Sequence, residues 1–485
     1  MALTAAQEAV LLQLIEAFQN GKRLSDLPEA KDANPYELIV EVLDTDGESK
    51  KAKLAAFLPY LEEQCAYGIE RDTAVSTPTC TRIGNSDLHR TLPIQSRMRG
   101  VLLNDDGKVV EYLDPKDWTG QNRDGSHGQV MVEIPSHYRR FITDGTKQQV
   151  LLSEYPLPGY HHVPQCYVSA YEASLQRSTS LLSSVVNTSP DFRGGNNMEQ
   201  YDGTGQSFLG RPVSVLSRTQ CRTYARKRKP ATTEWNCMTY DVQKTLYWLF
   251  VVEYATLNTQ AAFNAELSAQ GFRQGGLGMG VSGLDSSKWA NFNSTNPFVP
   301  CGFTDSLGNR TGVCDYQMPE EYDIVRKTVS VPRYRGIENP FGHIWQWTDG
   351  INICNSSTEA NGGDNLSKIY VCHDPSKFND TGYGGYRHIG NEARGSGYVR
   401  EIIFGEEGDI MPSLCTGGGS TIYFCDYHYT TISTAKETLM GVFFGGGGSY
   451  GTNAAEACGL TYANTSLPPT GSTTRIGTRL CFIPS

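Results

Sequence analysis

The stretch that most constrains this chain is its C-terminal part, Gly441 to Phe482, reading GVFFGGGGSYGTNAAEACGLTYANTSLPPTGSTTRIGTRLCF. Phe443 and Phe444 end an apolar run, four glycines follow, and Gly477-Thr-Arg-Leu-Cys-Phe-Ile483 closes the stretch as a compact strand. From Gly441 to Thr474 the only charged residue is Glu456. A long, uncharged, small-residue loop between two apolar strands is built either for flexibility or for contact. A binding face carried by the rest of the chain is the expectation taken forward.

At 485 residues the chain is too long for one simple core, so two or three domains are expected. Fifty glycines and 26 tyrosines with only 19% charged residues point to a loop-rich α+β chain rather than a helical bundle. The net charge of −10 argues against a nucleic-acid partner, which calls for a basic face. The opening MALTAAQEAVLLQLIEAF lacks a basic start, and Gln7, Glu8, Gln13 and Glu16 interrupt it, so no signal peptide is read. No stretch reaches the length that spans a membrane, and no membrane insertion is expected. The thirteen cysteines run singly from Cys65 to Cys481 without a CxxC pair. That pattern suits free, mostly buried thiols in a protein made in a reducing cytosol.

Along the chain, Thr4 with Gln7 forms a capping box, and Val10, Leu11, Leu14, Ile15 and Phe18 make one helical stripe. Glu37 to Leu43 reads as a strand, and Leu54, Phe57, Leu58 and Leu61 as a second helix containing Pro59. This helix–strand–helix, residues 1–66, is too small to bury much surface alone and is expected to pack on copies of itself or on a partner. Residues 67–128 read as a β-rich connector with a hairpin at Asp106-Gly107, and residues 129–485 as the main domain. Gln129 to Pro135 alternates like a strand with one buried face. Ser217 with Gln220 caps a helix lined by Cys221, Tyr224 and Ala225, and Arg226 to Lys229 complements its C-terminal dipole. Thr239 or Asp241 caps a second helix with Val242, Leu246, Leu249, Phe250 and Tyr254 on its apolar face.

Asn339-Pro-Phe-Gly-His-Ile-Trp-Gln-Trp-Thr-Asp349 resembles the signature of the formylglycine-generating-enzyme branch of the C-type lectin fold, with Trp345 and Trp347 as core anchors and Asp349 as the acidic residue. Gly446-Gly-Gly-Ser-Tyr450 stands where that branch has a G-G-S-aromatic strand, and Ile476-Gly-Thr-Arg479 where it has its closing strand. Within the fold the chain is similar to receptor-binding tail-fibre proteins of phages and prophages of gut bacteria, whose lectin-type domain is often diversified by a retroelement. Val132 to Tyr138, Leu152 to Gly159 and Tyr171-Glu-Ala-Ser174 carry that likeness. So does Leu27 through Lys51, which resembles the short virion-attachment modules of these fibres.

The resemblance implies an α+β architecture: a helix–strand–helix attachment module, a loop-rich β connector, and a C-terminal C-type lectin domain with long insertions and a variable loop at 441–482. It implies a virion protein made in the host bacterial cytoplasm. Its partners would be a bacterial surface receptor (a glycan or an outer-membrane protein), other tail proteins through residues 1–66, and two further copies in a homotrimer. By position, the ligand-contacting residues would be Ser449, Tyr450, Thr452, Asn453, Glu456, Cys458, Leu460, Tyr462, Asn464 and Ser466. This mix suits a contact surface, with tyrosine supplying rigid area and Ser, Asn and Gly adaptable hydrogen bonds.

Catalysis is not expected. The related oxidases need a reactive cysteine pair just after the G-G-S-aromatic motif, and here the loop holds only Cys458, with Cys481 in the closing strand. No G-x-S-x-G elbow is present, and His161 and His162, as neighbours in a strand, point to opposite sides. Cys425-Asp-Tyr-His428 reads as a core strand rather than a zinc site. The glycine run opens a loop, not a helix, so no nucleotide site follows. No cofactor is expected. A calcium-dependent sugar-binding lectin is the other alternative, and a structural calcium ion is left open at Asp364 and Asn365 or at Asp374 and Asp380.

Overall fold

The computed structural model describes residues 39–43, 49–53, 58–283, 286–318, 328–446 and 458–484. Strand accounts for 34% and helix for 15%, so the fold is mixed and mainly β, compatible with an α+β class. The described α-helices are α1 Leu58–Cys65, α2 Ser86–Thr91, α3 Arg218–Arg226, α4 Tyr240–Tyr254 and α5 Ser286–Asn293. The expected N-terminal helix lies outside the described residues.

Helix α4 is the axis of the core. Thr239 caps it by accepting from the Val242 N–H (3.4 Å), and Ala255 ends it in the left-handed conformation. The expected apolar face is buried, but so is every other residue of the helix except Asp241, which corrects the one-sided reading. The polar residues this encloses have partners. Lys244 lies 3.2 Å from Asp409, and Glu253 binds Arg335 (2.6 Å) and the Tyr334 hydroxyl (3.1 Å). Without these partners, burying each charge would cost several kcal/mol, on the order of 3–5.

Three sheets contribute to the apolar cluster that contains α4. One has five antiparallel strands in the order His161–Val163, His137–Asp144, Lys147–Ser153, Ala66–Asp72, Thr81–Gly84. The second has six, in the order Trp235–Cys237, Leu480–Phe482, Cys166–Ser169, Gln129–Ile134, Arg99–Leu103, Val109–Tyr112. The third has eight and is centred on Trp345–Ser356, flanked by Ser367–Val371 and Glu437–Gly445, with Gly459–Asn464, Tyr427–Tyr429 and Gly397–Tyr398 beyond. Gln129–Ile134 is buried on both faces, not one. Val130, Val132 and Ile134 join the α4 cluster, while Met131 joins a second cluster with Trp235, Trp345, Trp347 and Phe443.

Two of the expected boundaries fall inside packed structure. The connector strands Arg99–Leu103 and Val109–Tyr112 belong to the same sheet as Gln129–Ile134, so 128/129 is not a division. Helix α1 packs Leu61 and Cys65 against Leu151 and Leu157, and Glu62 pairs with Arg140, so residue 66 lies within the body. Pro59 is tolerated because it stands in the first turn of α1, where its missing N–H has no intrahelical acceptor. Among the described residues, Ile39–Leu43 and Ser49–Lys53 form a two-stranded sheet of their own.

Helix α3 is tied down by its cations. The Ser217–Gln220 capping box is present on both sides. Arg222 clasps Asp349 (2.5 and 3.0 Å) and Arg218 reaches Asp380 (2.6 Å) and the Ile351 carbonyl (2.7 Å). In its last turn Arg226 donates to the Pro375 carbonyl, and beyond it Arg228 donates to the Leu182 carbonyl and Ser183, and Lys229 pairs with Glu234. The basic run therefore has local structural partners, as expected.

If the body begins at α1, removing residues 1–53 should leave the melting temperature unchanged. Removing residues 1–66 strips Leu61, Cys65 and Ala66 from the five-stranded sheet and should lower it by several degrees. Thermal melts of the two truncations followed by circular dichroism check this.

Candidate functional site

The site expected from sequence sits where Glu437–Gly445 turns back as Gly459–Asn464. These strands are antiparallel, with Phe443 opposite Asn464, Phe444 opposite Ala463 and Gly445 opposite Gly459. Along its other edge Glu437–Gly445 pairs with the tryptophan strand, Phe443 opposite Trp347. The two ends of the intervening segment are therefore held one strand spacing apart. Ser449, Tyr450, Thr452, Asn453 and Glu456 fall between them and lie outside the described residues.

The second end is clamped by four separate parts of the chain. Gln260 Nε2 donates to the Cys458 carbonyl, and Cys458 Sγ lies 3.4 Å from the Met279 carbonyl. Gln243 of α4 donates to the Leu460 carbonyl (2.7 Å) and Thr259 faces the Leu460 N–H (3.3 Å). Asp426 accepts from the Thr461 N–H (2.9 Å) and hydroxyl (2.6 Å). Gly459 has φ +143, and a Cβ there would stand 2.0 Å from Asp426 Oδ1, so no other residue fits beside that carboxyl. Burial pushes Asp426 up to about 7, against the opposing pull of its Thr461 and Gln260 hydrogen bonds.

Four of the remaining expected contact residues, Cys458, Leu460, Tyr462 and Asn464, are buried supports, a correction to the sequence reading. Cys458 and Leu460 are buried in the α4 cluster. Tyr462 is edge-on to Trp345 at 4.5 Å and belongs to the tryptophan cluster. Asn464 is buried and accepts from the Ser466 N–H (3.0 Å) and hydroxyl (2.7 Å), and Ser466 is half-buried. The reason is that Gly459–Asn464 is an interior strand of the eight-stranded sheet, covered on both faces.

The motif residues are all interior. Phe443 lies between Trp345 (5.2 Å) and Trp347 (4.9 Å), and Trp347 Nε1 donates to the Leu216 carbonyl. Asp349 is spent on Arg222. Arg479 donates to Gln346, Ser169, Glu338 and Asn339, and so joins the closing strand to the motif strand.

Sequence reasoning missed a row of tyrosines at the open edge of this sheet. Tyr427 and Tyr429 alternate with buried His428 and point to the other face. Tyr429 is 42% exposed. Tyr398 meets Tyr427 edge-on at 5.2 Å, and Tyr427 meets Tyr462 at 5.7 Å, so surface aromatics continue into the core ones. The Tyr-His-Tyr alternation was the available signal. Cys425 and His428 make separate contacts, Cys425 with the Ile422 carbonyl and His428 with the Ala463 and Ala393 carbonyls.

The acids considered for calcium are engaged elsewhere: Asp364 with Lys368, Asp374 with Ser376 and Lys377, Asp380 with Arg218 and Arg222. Among the described residues no three His, Cys, Asp or Glu side chains converge on a metal position. All thirteen cysteines are free, and burial drives the Cys481 thiol well above its ordinary range. Neither a scan of the chain against protein-family models nor a comparison with curated proteins finds a match.

Two measurements follow from this geometry. Tyr462→Ala should cost about 3–5 kcal/mol of stability in urea titrations, as for other large buried aromatics, whereas Tyr429→Ala should stay within about 0.5 kcal/mol. Asp426 titrates near 7 in the folded chain and near 4 unfolded. Its contribution to stability is therefore complete below about pH 4 and is lost as the pH rises through about 7. Between those limits the stability of the native chain should fall more steeply with pH than that of Asp426→Asn.

Proposed function

We propose that the chain is the receptor-binding protein of a phage or prophage tail fibre, and that its C-terminal half is a C-type-lectin-type fold that displays residues 447–457 to a bacterial surface. The observation that carries this reading is the Gly445–Gly459 pair. It brings both ends of a small-residue segment whose single charge is Glu456 to one end of the sheet and anchors them through residues outside the segment. Helices α3 and α4 are among those that precede the tryptophan strand, and the closing strand Leu480–Phe482 pairs with Cys166–Ser169. Both features support the lectin-type resemblance.

In this reading Ser449, Tyr450, Thr452, Asn453 and Glu456 contact the receptor, and Tyr398, Tyr427 and Tyr429 extend the face. The receptor is a surface glycan or an outer-membrane protein. Residues ahead of α1 join other tail proteins, and the fibre is a homotrimer on the virion. Recognition rather than catalysis is the activity, since the thiols nearest the site are enclosed. Several weak contacts on one particle would combine through multivalency.

Fluorescently labelled full-length chain, incubated with a panel of gut bacterial strains, should stain at least one strain saturably. Tyr450→Ala combined with Asn453→Ala should weaken that staining at least tenfold, about 1.4 kcal/mol, at an unchanged melting temperature. Failure to stain any strain, or staining indifferent to the double substitution, would overturn the proposal.

A further inference from the structure

A cleft of about 510 Å³ lies at one end of the six-stranded sheet, built from the hairpin turn after Leu103, the Asp124–Gly128 loop and the Ser174–Gln176/Leu181–Ser183 hairpin. None of its lining residues belongs to the C-terminal strand pair. Its volume is in the range of small-molecule sites, about 300–1,000 Å³. The loop wall is shaped by backbone that suits glycine. Gly125 has φ +97, and a Cβ there would stand 2.9 Å from Val185 Cγ1 on the floor.

The chemistry of the lining is selective. Arg228 is the one arginine or lysine among the lining residues, and each of its nitrogens already donates and its charge is paired: Nε to the Leu182 carbonyl (2.5 Å), Nη1 to Asp105 (2.7 Å) and Nη2 to Ser183 (2.6 Å). No arginine or lysine is left to neutralise an anion. Gln129 is 5% exposed. Its carbonyl accepts the Ser184 N–H (2.8 Å), and its amide nitrogen has no protein partner among the described residues. That nitrogen is not fully enclosed, so it offers a donor to the cleft. Around it stand acceptors and further amides, Asp124, Asn104 and Ser126, above an apolar floor of Val185 and Phe192.

We infer that this cleft binds a neutral carbohydrate unit, with Gln129 Nε2 donating to a sugar oxygen and Asp124 accepting from a sugar hydroxyl. Sugar hydroxyls both donate and accept, so interleaved donors and acceptors without spare positive charge match them, and an apolar floor matches the C–H face of a pyranose ring. The inference is independent of the receptor-face proposal, since it uses none of that face's residues.

Ligand-observed NMR on the full-length chain tests it. The panel is glucose, galactose, mannose, N-acetylglucosamine and N-acetylgalactosamine, with inorganic phosphate and sialic acid as charged probes. At least one neutral sugar should show saturable binding. His127→Trp, at the exposed rim, should weaken it at least tenfold while leaving the melting temperature unchanged. Gln129→Glu at about pH 8 keeps the acceptor for Ser184 but removes the free donor, and should weaken it similarly. Binding of no neutral sugar, binding confined to the charged probes, or sugar binding insensitive to both substitutions would overturn the inference. The last outcome would place the sugar elsewhere on the chain and leave the receptor-face reading standing.

Discussion

The contact on which most of this architecture depends is the pairing of Arg222 with Asp349 beneath helix α3. Asp349 is fully enclosed, lies at the bulge of the central strand of the eight-stranded sheet, and is 127 residues from its partner. Two parallel N–H donations from one guanidinium fix both distance and angle. Arg218, one helical turn earlier, reaches the Ile351 carbonyl and Asn352 of the same strand, and Asp380 bridges the two arginines. Losing either partner would strand a charge in the interior at a cost of about 3–5 kcal/mol. The helix therefore cannot slide, and the strand carrying Trp345 and Trp347 is held in register against it. Phe443 packs on those tryptophans, and Phe443 begins the approach to Gly445.

A second buried polar contact ties the early text of the chain to the same strand. His343 Nε2 accepts the N–H groups of Phe298 and Val299, which leaves its proton on Nδ1, 2.6 Å from Glu172. Tyr171 donates to Asp305 in turn. The phrases Tyr171-Glu-Ala-Ser174 and Asn339-Pro-Phe-Gly-His343 are thus two halves of one interior network, which gives them a structural reason to occur together.

Local signals in the sequence carried far. The Ser217–Gln220 box, the Thr239 cap, the turn at Gly107 and the tryptophan anchors depend on residues a few positions apart, and the structure has them as read. What the sequence could not display was pairing at a distance. Gly459–Asn464 reads as loop because Thr461 and Asn464 are polar. It is a buried strand because Asp426, 35 residues earlier, receives both donors of Thr461. The partners of Arg218, Arg222 and Lys244 also lie far along the chain, and α4 looks one-sided because its polar residues find partners only in the folded chain. The candidate site follows this split: its supports are strand residues misread as contacts, and its tyrosine edge was concealed in a segment that reads as core.

The proposed receptor face rests on a division of labour: the strands that end at Gly446 and resume at Cys458 are scaffold, residues 447–457 are the part proposed to vary, and Tyr398, Tyr427 and Tyr429 border it. The most direct measurement is the stability of chains in which residues 447–457 are replaced by several unrelated polar sequences of equal length, each followed by urea denaturation and by staining of a bound bacterial strain. Stabilities should stay within about 0.5 kcal/mol of the native chain while staining is lost or redirected. A loss of several kcal/mol, or staining that survives every replacement, would contradict the division.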